Sequence, residues 1–220
     1  MSTAEQPAAA TSRSREHTRE KLIDAAFEVF AEVGLNAASV EQITERAGFT
    51  RGAFYSNFDS KVELFFAIAD DKYTRASAGL QSGVDAILAE ALPVGHPITA
   101  DALETIVTGV LGLTVVDSKL ALFESEFEAL ALRDPEIAVR YAGHTRAVIA
   151  GVAALLEAAL SRIGVRFRLP PEQATRLLIT AYTAAMKTHL LAGGGDQPSA
   201  ADLGDVTALA LVLTERMPDS

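Results

Sequence analysis

The sequence predicts an all-α chain of nine or ten helices, and three observations predict it. Apolar residues recur at helical spacing along nearly the whole length. β-branched residues are scattered and form no alternating runs. The 8 prolines and 15 glycines fall mostly between the apolar stretches, where breaks belong. A hydrophobic fraction of 49% is enough for a packed core.

Residues 1–14 read as a flexible tail. Leu22, Ile23, Ala26, Phe27 and Phe30 then form one buried stripe, so a first helix is expected over about Glu16 to Val33, closed by Gly34. Ser39-Val-Glu-Gln42 has the capping-box spacing and opens a short helix through Ala47. Gly48 ends it, and Thr50 is the N-cap of another short helix from Arg51 to about Phe58. Asp59 and Ser60 cap a longer helix that is expected to reach the low eighties, with a separate helix over Val84 to Ala91. Thr99 starts one through about Val116, and Asp117 or Ser118 starts the next. Asp134-Pro135 is an N-cap with proline at N1, and the long helix behind it closes at Gly164. Helices near 172–192 and 200–216 complete the chain.

Composition excludes several functions. With no cysteine there is no disulfide, thiol catalysis or thiolate metal site. His17, His96, His144 and His189 have no metal-ligand spacing, so neither metal nor cofactor is expected. No G-x-S-x-G elbow or dinucleotide fingerprint is present, and Gly193-Gly194-Gly195 lacks the Lys-Ser or Lys-Thr of a phosphate-binding loop. The chain reads as non-enzymatic. The stretch 1–20 is polar, and charges interrupt each apolar stretch, so a soluble, cytoplasmic protein is expected.

The net charge of −10 argues against nucleic acid when taken alone. Its distribution matters more. Arg13 to Lys61 holds seven basic and eight acidic residues, whereas the chain from Val62 onward holds 12 and 20. A small N-terminal module can therefore present a local basic face.

That module is expected at 15–60. Two short helices joined at Ala47-Gly48-Phe49-Thr50 read as a helix-turn-helix. Phe54 and Phe58 share one buried face of its second helix. Arg51 and Tyr55 share the other, with Gly52 and Ser56 beside them. This face is slim, polar and free of acids, as insertion into a major groove requires. Ser39 and Thr50 sit at helix N-termini, where an anion is favoured. Lys61 opens the next helix, where its charge gains nothing from the dipole and a phosphate is a suitable partner. Arg13, Arg15 and Arg19 could follow the backbone or enter a minor groove.

The run Thr50-Arg-Gly-Ala-Phe-Tyr-Ser-Asn-Phe-Asp-Ser-Lys61 resembles the signature of the tetracycline-repressor (TetR) family, and Ala25-Ala26-Phe27, Phe30, Gly34, Ser39-Val40, Ile43 and Ala47-Gly48 extend the match over roughly 20–65. Asn57 departs from the histidine that many members carry. The resemblance implies a homodimer with a three-helix DNA-binding head and a helical ligand-binding and dimerisation domain, here 61–220. It implies a repressor released from its operator by a small effector, which the apolar content of 100–190 suggests is apolar. Ser39, Thr50, Arg51, Gly52, Tyr55, Ser56, Asn57 and Lys61 are the expected DNA contacts. The helices near 172–192 and 200–216 are the expected dimer contacts. Phe123, Phe127, Tyr141, His144, Tyr182 and Met186 are candidate pocket residues. A competing reading is a helical small-molecule-binding protein whose head does not read DNA.

Overall fold

A computed structural model describes residues 6–91, 99–113, 118–196 and 198–217. In chain order the helices are α1 (Gln6–Ala37), α2 (Val40–Ala47), α3 (Arg51–Tyr55), α4 (Lys61–Ala91), α5 (Ala100–Gly112), α6 (Ser118–Ala131), α7 (Pro135–Ser161), α8 (Pro171–Leu191) and α9 (Gly204–Leu213). Two strands, β1 (Val165–Phe167) and β2 (Thr214–Arg216), pair antiparallel.

Several elements differ from the sequence reading. α1 begins at Gln6, inside the expected tail, because Ala8-Ala9-Ala10 has the highest intrinsic helix propensity. Residues 1–5 of that tail lie outside the described residues. Gly34 interrupts α1 with φ 76° and ψ 161°, so the regular helix ends where the sequence places its stop. The two helices expected on either side of Gly83 are one, α4. A Cβ at Gly83 would lie 2.8 Å from Leu113 Cδ1, so this glycine admits the end of α5 and does not break the helix. The end expected for α5, at Val116, lies outside the described residues.

Two three-residue strands stand beside the helices of this all-α fold. Gly164, at φ 66°, turns the backbone out of α7, and Val165-Arg166-Phe167-Arg168 alternates apolar and charged residues. Val165 pairs with Arg216 and Phe167 with Thr214. Arg166 and Glu215, opposite each other, form an ion pair at 2.7 Å. β2 takes the residues expected to finish the last helix.

The described chain forms two compact units. The first holds residues up to Tyr73 together with Leu122–Phe127, and the second holds Thr74–Ala121 and Glu128–Ser220. The first unit thus takes in more than the expected 15–60, because its core includes the start of α4 and part of α6. Phe65 stacks on Phe123 (centroids 4.0 Å, planes 13° apart) and meets Phe127 edge-on at 5.1 Å. Phe30 and Phe27 close the cluster at 5.8 and 5.9 Å from Phe65 and Phe123.

In the second unit Ile106, Val107 and Val110 of α5, Leu156 and Leu160 of α7, Leu178 and Tyr182 of α8 and Val206 and Ala210 of α9 share one apolar core. α7 is long and apolar enough to cross a membrane by length and composition alone. Arg146 and Glu157 interrupt it, and Val152, Leu156 and Leu160 pack into this core. Asp134 caps α7 by accepting the N–H groups of Glu136 (2.9 Å) and Ile137 (3.3 Å), with Pro135 at N1. Asp134→Ala is expected to lower stability by about 1 kcal/mol, measured by urea unfolding.

The turn between α8 and α9 is organised around Asp202. Its carboxylate accepts the Ser199 hydroxyl (2.6 Å) and N–H (2.8 Å) and faces His189 Nδ1 at 3.0 Å. The Ser199 hydroxyl, then its N–H, and then His189 hold the Asp202 carboxyl below its ordinary range.

Candidate nucleic-acid interface

The head positions α3 through caps at both ends of the turn before it. Ser39 and Gln42 form the reciprocal box: the Gln42 N–H donates to Ser39 Oγ (3.1 Å) and the Ser39 N–H donates to Gln42 Oε1 (2.8 Å). Gly48 ends α2 in the left-handed region (φ 75°, ψ 30°), which a residue with a Cβ adopts only with strain. The chain then reverses, and Thr50 Oγ1 accepts the Ala53 N–H at 3.4 Å to open α3. A bidentate pair from Arg46 to Glu32, at 2.6 and 2.8 Å, ties α2 to α1.

Phe54, on the inner face of α3, and Phe58, three residues past its end, are buried with their rings 5.9 Å apart. The outer face carries Arg51, Gly52, Tyr55 and Ser56, all exposed, with Thr50 exposed at its start. Tyr55 is 50% exposed although its ring packs edge-on against Phe54 at 5.2 Å. A large aromatic left half in water on a five-residue helix contributes little to folding. A Cβ built on Gly52 would meet only Thr50 Oγ1, at 3.7 Å, so the head has room for a side chain there.

Five of the eight residues expected to contact DNA thus lie on α3 and its caps, namely Thr50, Arg51, Gly52, Tyr55 and Ser56, and a sixth, Ser39, caps α2. Two turn inward. Asn57 is half-buried and its Nδ2 donates to the Ala53 carbonyl at 2.8 Å. Lys61 is also half-buried, and its ammonium donates to the carbonyls of Leu35 (2.9 Å) and Ala38 (2.6 Å). Its dipole mismatch at the start of α4 is satisfied inside the head.

Sequence reasoning missed two partners of α3. Arg15 Nη2 donates to the Ser56 carbonyl at 2.9 Å, a cation placed at the C-terminal end of α3 where the dipole favours it. Arg19 lies over the Phe58 ring at 5.2 Å. Two of the N-terminal arginines therefore engage the end of this helix. The second partner is Glu41 of α2, whose carboxylate holds Arg51 Nη1 at 2.7 Å. Arg51 also lies over the Tyr55 ring, 5.5 Å from its centroid. No local spacing signals either contact, since each joins residues on different helices.

The candidate pocket residues are divided between the two units. Phe123 and Phe127 fill the aromatic core of the first unit. Tyr182 and Met186 are buried in the second, and Tyr141 and His144 are half-buried on α7. Among the described residues no three His, Asp or Glu side chains are grouped to hold a metal ion.

Residues 22–68 match the family described as bacterial regulatory proteins, tetR family, and this span contains the whole of α2 and α3. The head belongs to the tetR family. The HTH-type transcriptional regulator SrpR of Pseudomonas putida is 45% identical over 58 residues, covering 26% of this chain and 27% of SrpR. The HTH-type transcriptional repressor BepR of Brucella suis is 32% identical over 102 residues, 46% of this chain and 45% of BepR. The chain thus spans about a quarter to a half of these curated relatives, which carry the names of regulators and not of enzymes. The likeness of fold extends further than that of sequence. A Mesorhizobium loti structure assigned to the TetR family superposes with a TM-score of 0.67 over 90% of this chain and 95% of its own, at 18% identity. The fatty acid degradation regulator FadR of Bacillus halodurans superposes with a TM-score of 0.62 over 88% and 94%, at 20% identity. The tetR-type head is therefore joined to a helical body of the same architecture.

Proposed function

We propose that this chain is a DNA-binding transcriptional regulator that acts in the cytoplasm as a homodimer and reads a double-stranded operator with α3. The observation that carries this reading is the outer face of α3: Arg51, Gly52 and Tyr55 stand exposed and acid-free on a five-residue helix, between Thr50 at its N-cap and the exposed Ser56 at its C-cap. Ser39, Thr50, Arg51, Tyr55 and Ser56 are the contacts, and Gly52 permits close approach of the backbone. Asn57 and Lys61 act from behind by fixing the head.

The finer mechanism belongs to the second unit. A small apolar effector, held among the apolar side chains of α5, α7 and α8, releases the operator, so the chain is a repressor. DNA and effector prefer different arrangements of the dimer, and each weakens the other by the same factor. The dimer contact is made by the helices near 172–192 and 200–216, where Leu177 and Leu191 of α8 and Leu211 and Val212 of α9 are exposed.

The test is selection of duplexes from a random library, followed by titration of the chosen sequence at several salt concentrations. Affinity should fall with salt at a slope of about −0.9 for each phosphate neutralised. Gly52→Ala separates DNA reading from folding. Alanine has the higher helix propensity and finds room in the head, so the melting temperature should hold or rise. Affinity for the selected duplex should fall at least tenfold. Failure of the wild type to select any sequence, or equal binding by the variant, overturns the reading.

A further inference from the structure

We propose that Glu41 is the positioning residue for Arg51: it stays paired in the DNA complex and holds the guanidinium for a bidentate contact with one guanine. This rests on the reading of α3 as the DNA-contacting helix.

The pair has no structural duty that explains it. The Arg51 and Glu41 side chains are 64% and 59% exposed. Ion pairs in that setting add little to stability. Glu41 lies in the first turn of α2, where the helix dipole already favours a carboxylate. Arg51 opens α3, where the dipole disfavours a cation. The two groups meet across the turn between the helices, beside the exposed face of α3.

Three features choose a base edge over a phosphate. First, the Glu41 carboxylate lies 2.7 Å from the guanidinium. At that distance it cancels most of the pull on an anion, and it would itself repel a phosphate brought alongside. Guanine O6 and N7 are neutral acceptors and meet no such opposition. Second, the guanidinium has five N–H donors. Glu41 engages Nη1, and the Tyr55 hydroxyl, 3.5 Å from Nη2, is at the outer limit of a hydrogen bond. Enough donors remain for a two-point contact. Third, the guanidinium is held from two sides, by the Glu41 carboxylate at 2.7 Å and by the Tyr55 ring that its central carbon overlies at 5.5 Å. A long flexible side chain held this way loses less freedom when it meets a base.

The experiment compares wild type and Glu41→Gln on the selected duplex and on random duplex of equal length. The charge is removed while size and hydrogen-bonding capacity are kept. Opposite changes are expected. On random duplex the variant binds up to about fivefold tighter, and its salt slope steepens by about one, because Arg51 is freed for a phosphate. On the selected duplex it binds more weakly. Replacing one particular G·C pair costs the wild type roughly tenfold or more and costs the variant less. In an Arg51→Gln background, Glu41→Gln changes neither affinity nor base preference. Equal tightening on both duplexes means simple repulsion of DNA by Glu41 and overturns the proposal. So does an undiminished effect without Arg51, or an intact preference for that G·C pair. A wild type that selects no sequence brings down the DNA-binding reading itself, an outcome distinct from all three.

Discussion

Phe65→Ala is expected to unfold the head at physiological temperature. The side chain is 1% exposed and sits where α1, α4 and α6 meet. It stacks face to face on Phe123, meets Phe127 edge-on and packs against Phe30. Truncating a buried phenylalanine costs about 3–5 kcal/mol through lost transfer energy and the cavity left behind. Paired aromatic contacts add about 0.5–1.5 kcal/mol beyond area. That sum is a large part of the stability of a typical domain. Hydrogen exchange should show protection lost over the buried stretches 22–30 and 64–69, with loss of DNA binding as its consequence. Tyr55→Ala is the counterpart. Its ring packs against Phe54 but is half exposed. The loss of stability should therefore stay near about 1 kcal/mol while binding to the selected duplex disappears. If Phe65→Ala left exchange unchanged, the aromatic cluster would not be the core of the head.

These two aromatic residues show what the sequence made legible. Phe54, Tyr55 and Phe58 lie close enough for helical geometry alone to sort them: the phenylalanines share one face and the tyrosine lies on another. Caps were legible for the same reason, since Ser39 with Gln42, Thr50 with Ala53 and Asp134 with Ile137 are satisfied over a local spacing. Contacts between separate elements were not. Phe123 and Phe127 have the composition of a pocket lining, and only the fold assigns them to the core of the head. Gly83 falls between the two helices expected there, yet its missing side chain makes room for Leu113 within one helix. Val165–Phe167 is too short for alternation to stand out, and its partner strand lies at the far end of the chain. Glu41 is the most consequential omission. From the sequence it is a first-turn acid suited to its own helix, and its reach to Arg51 depends on the turn between α2 and α3.

Lys61→Met is expected to destabilise the head without removing a phosphate contact. The sequence position of Lys61, at the start of α4, suggests an anchor for DNA, but its ammonium is already engaged. It donates to Leu35 at the end of the first helix and to Ala38 just before the Ser39 cap. Both carbonyls belong to the connection that sets the start of α2, so Lys61 ties α4 to the helix that supports α3. Hydrogen bonds to a charged group are worth about 1.5–3 kcal/mol, and the half-buried site places the net loss toward the lower end. For a unit of this size, about 2 kcal/mol lowers the melting temperature by about 10 °C. Methionine keeps the length and apolar stem, so the loss reports the ammonium and not a cavity. Below the melting temperature the variant should retain the wild-type salt slope, because no phosphate contact has been removed. A phosphate anchor predicts the reverse, with the melt unchanged and the slope reduced by about one. The distinction matters for the interface as a whole. If the slope holds, attraction to the backbone comes from the exposed groups of α3 and the helix N-termini at Ser39 and Thr50, and the charge of Lys61 is spent on holding those N-termini in place.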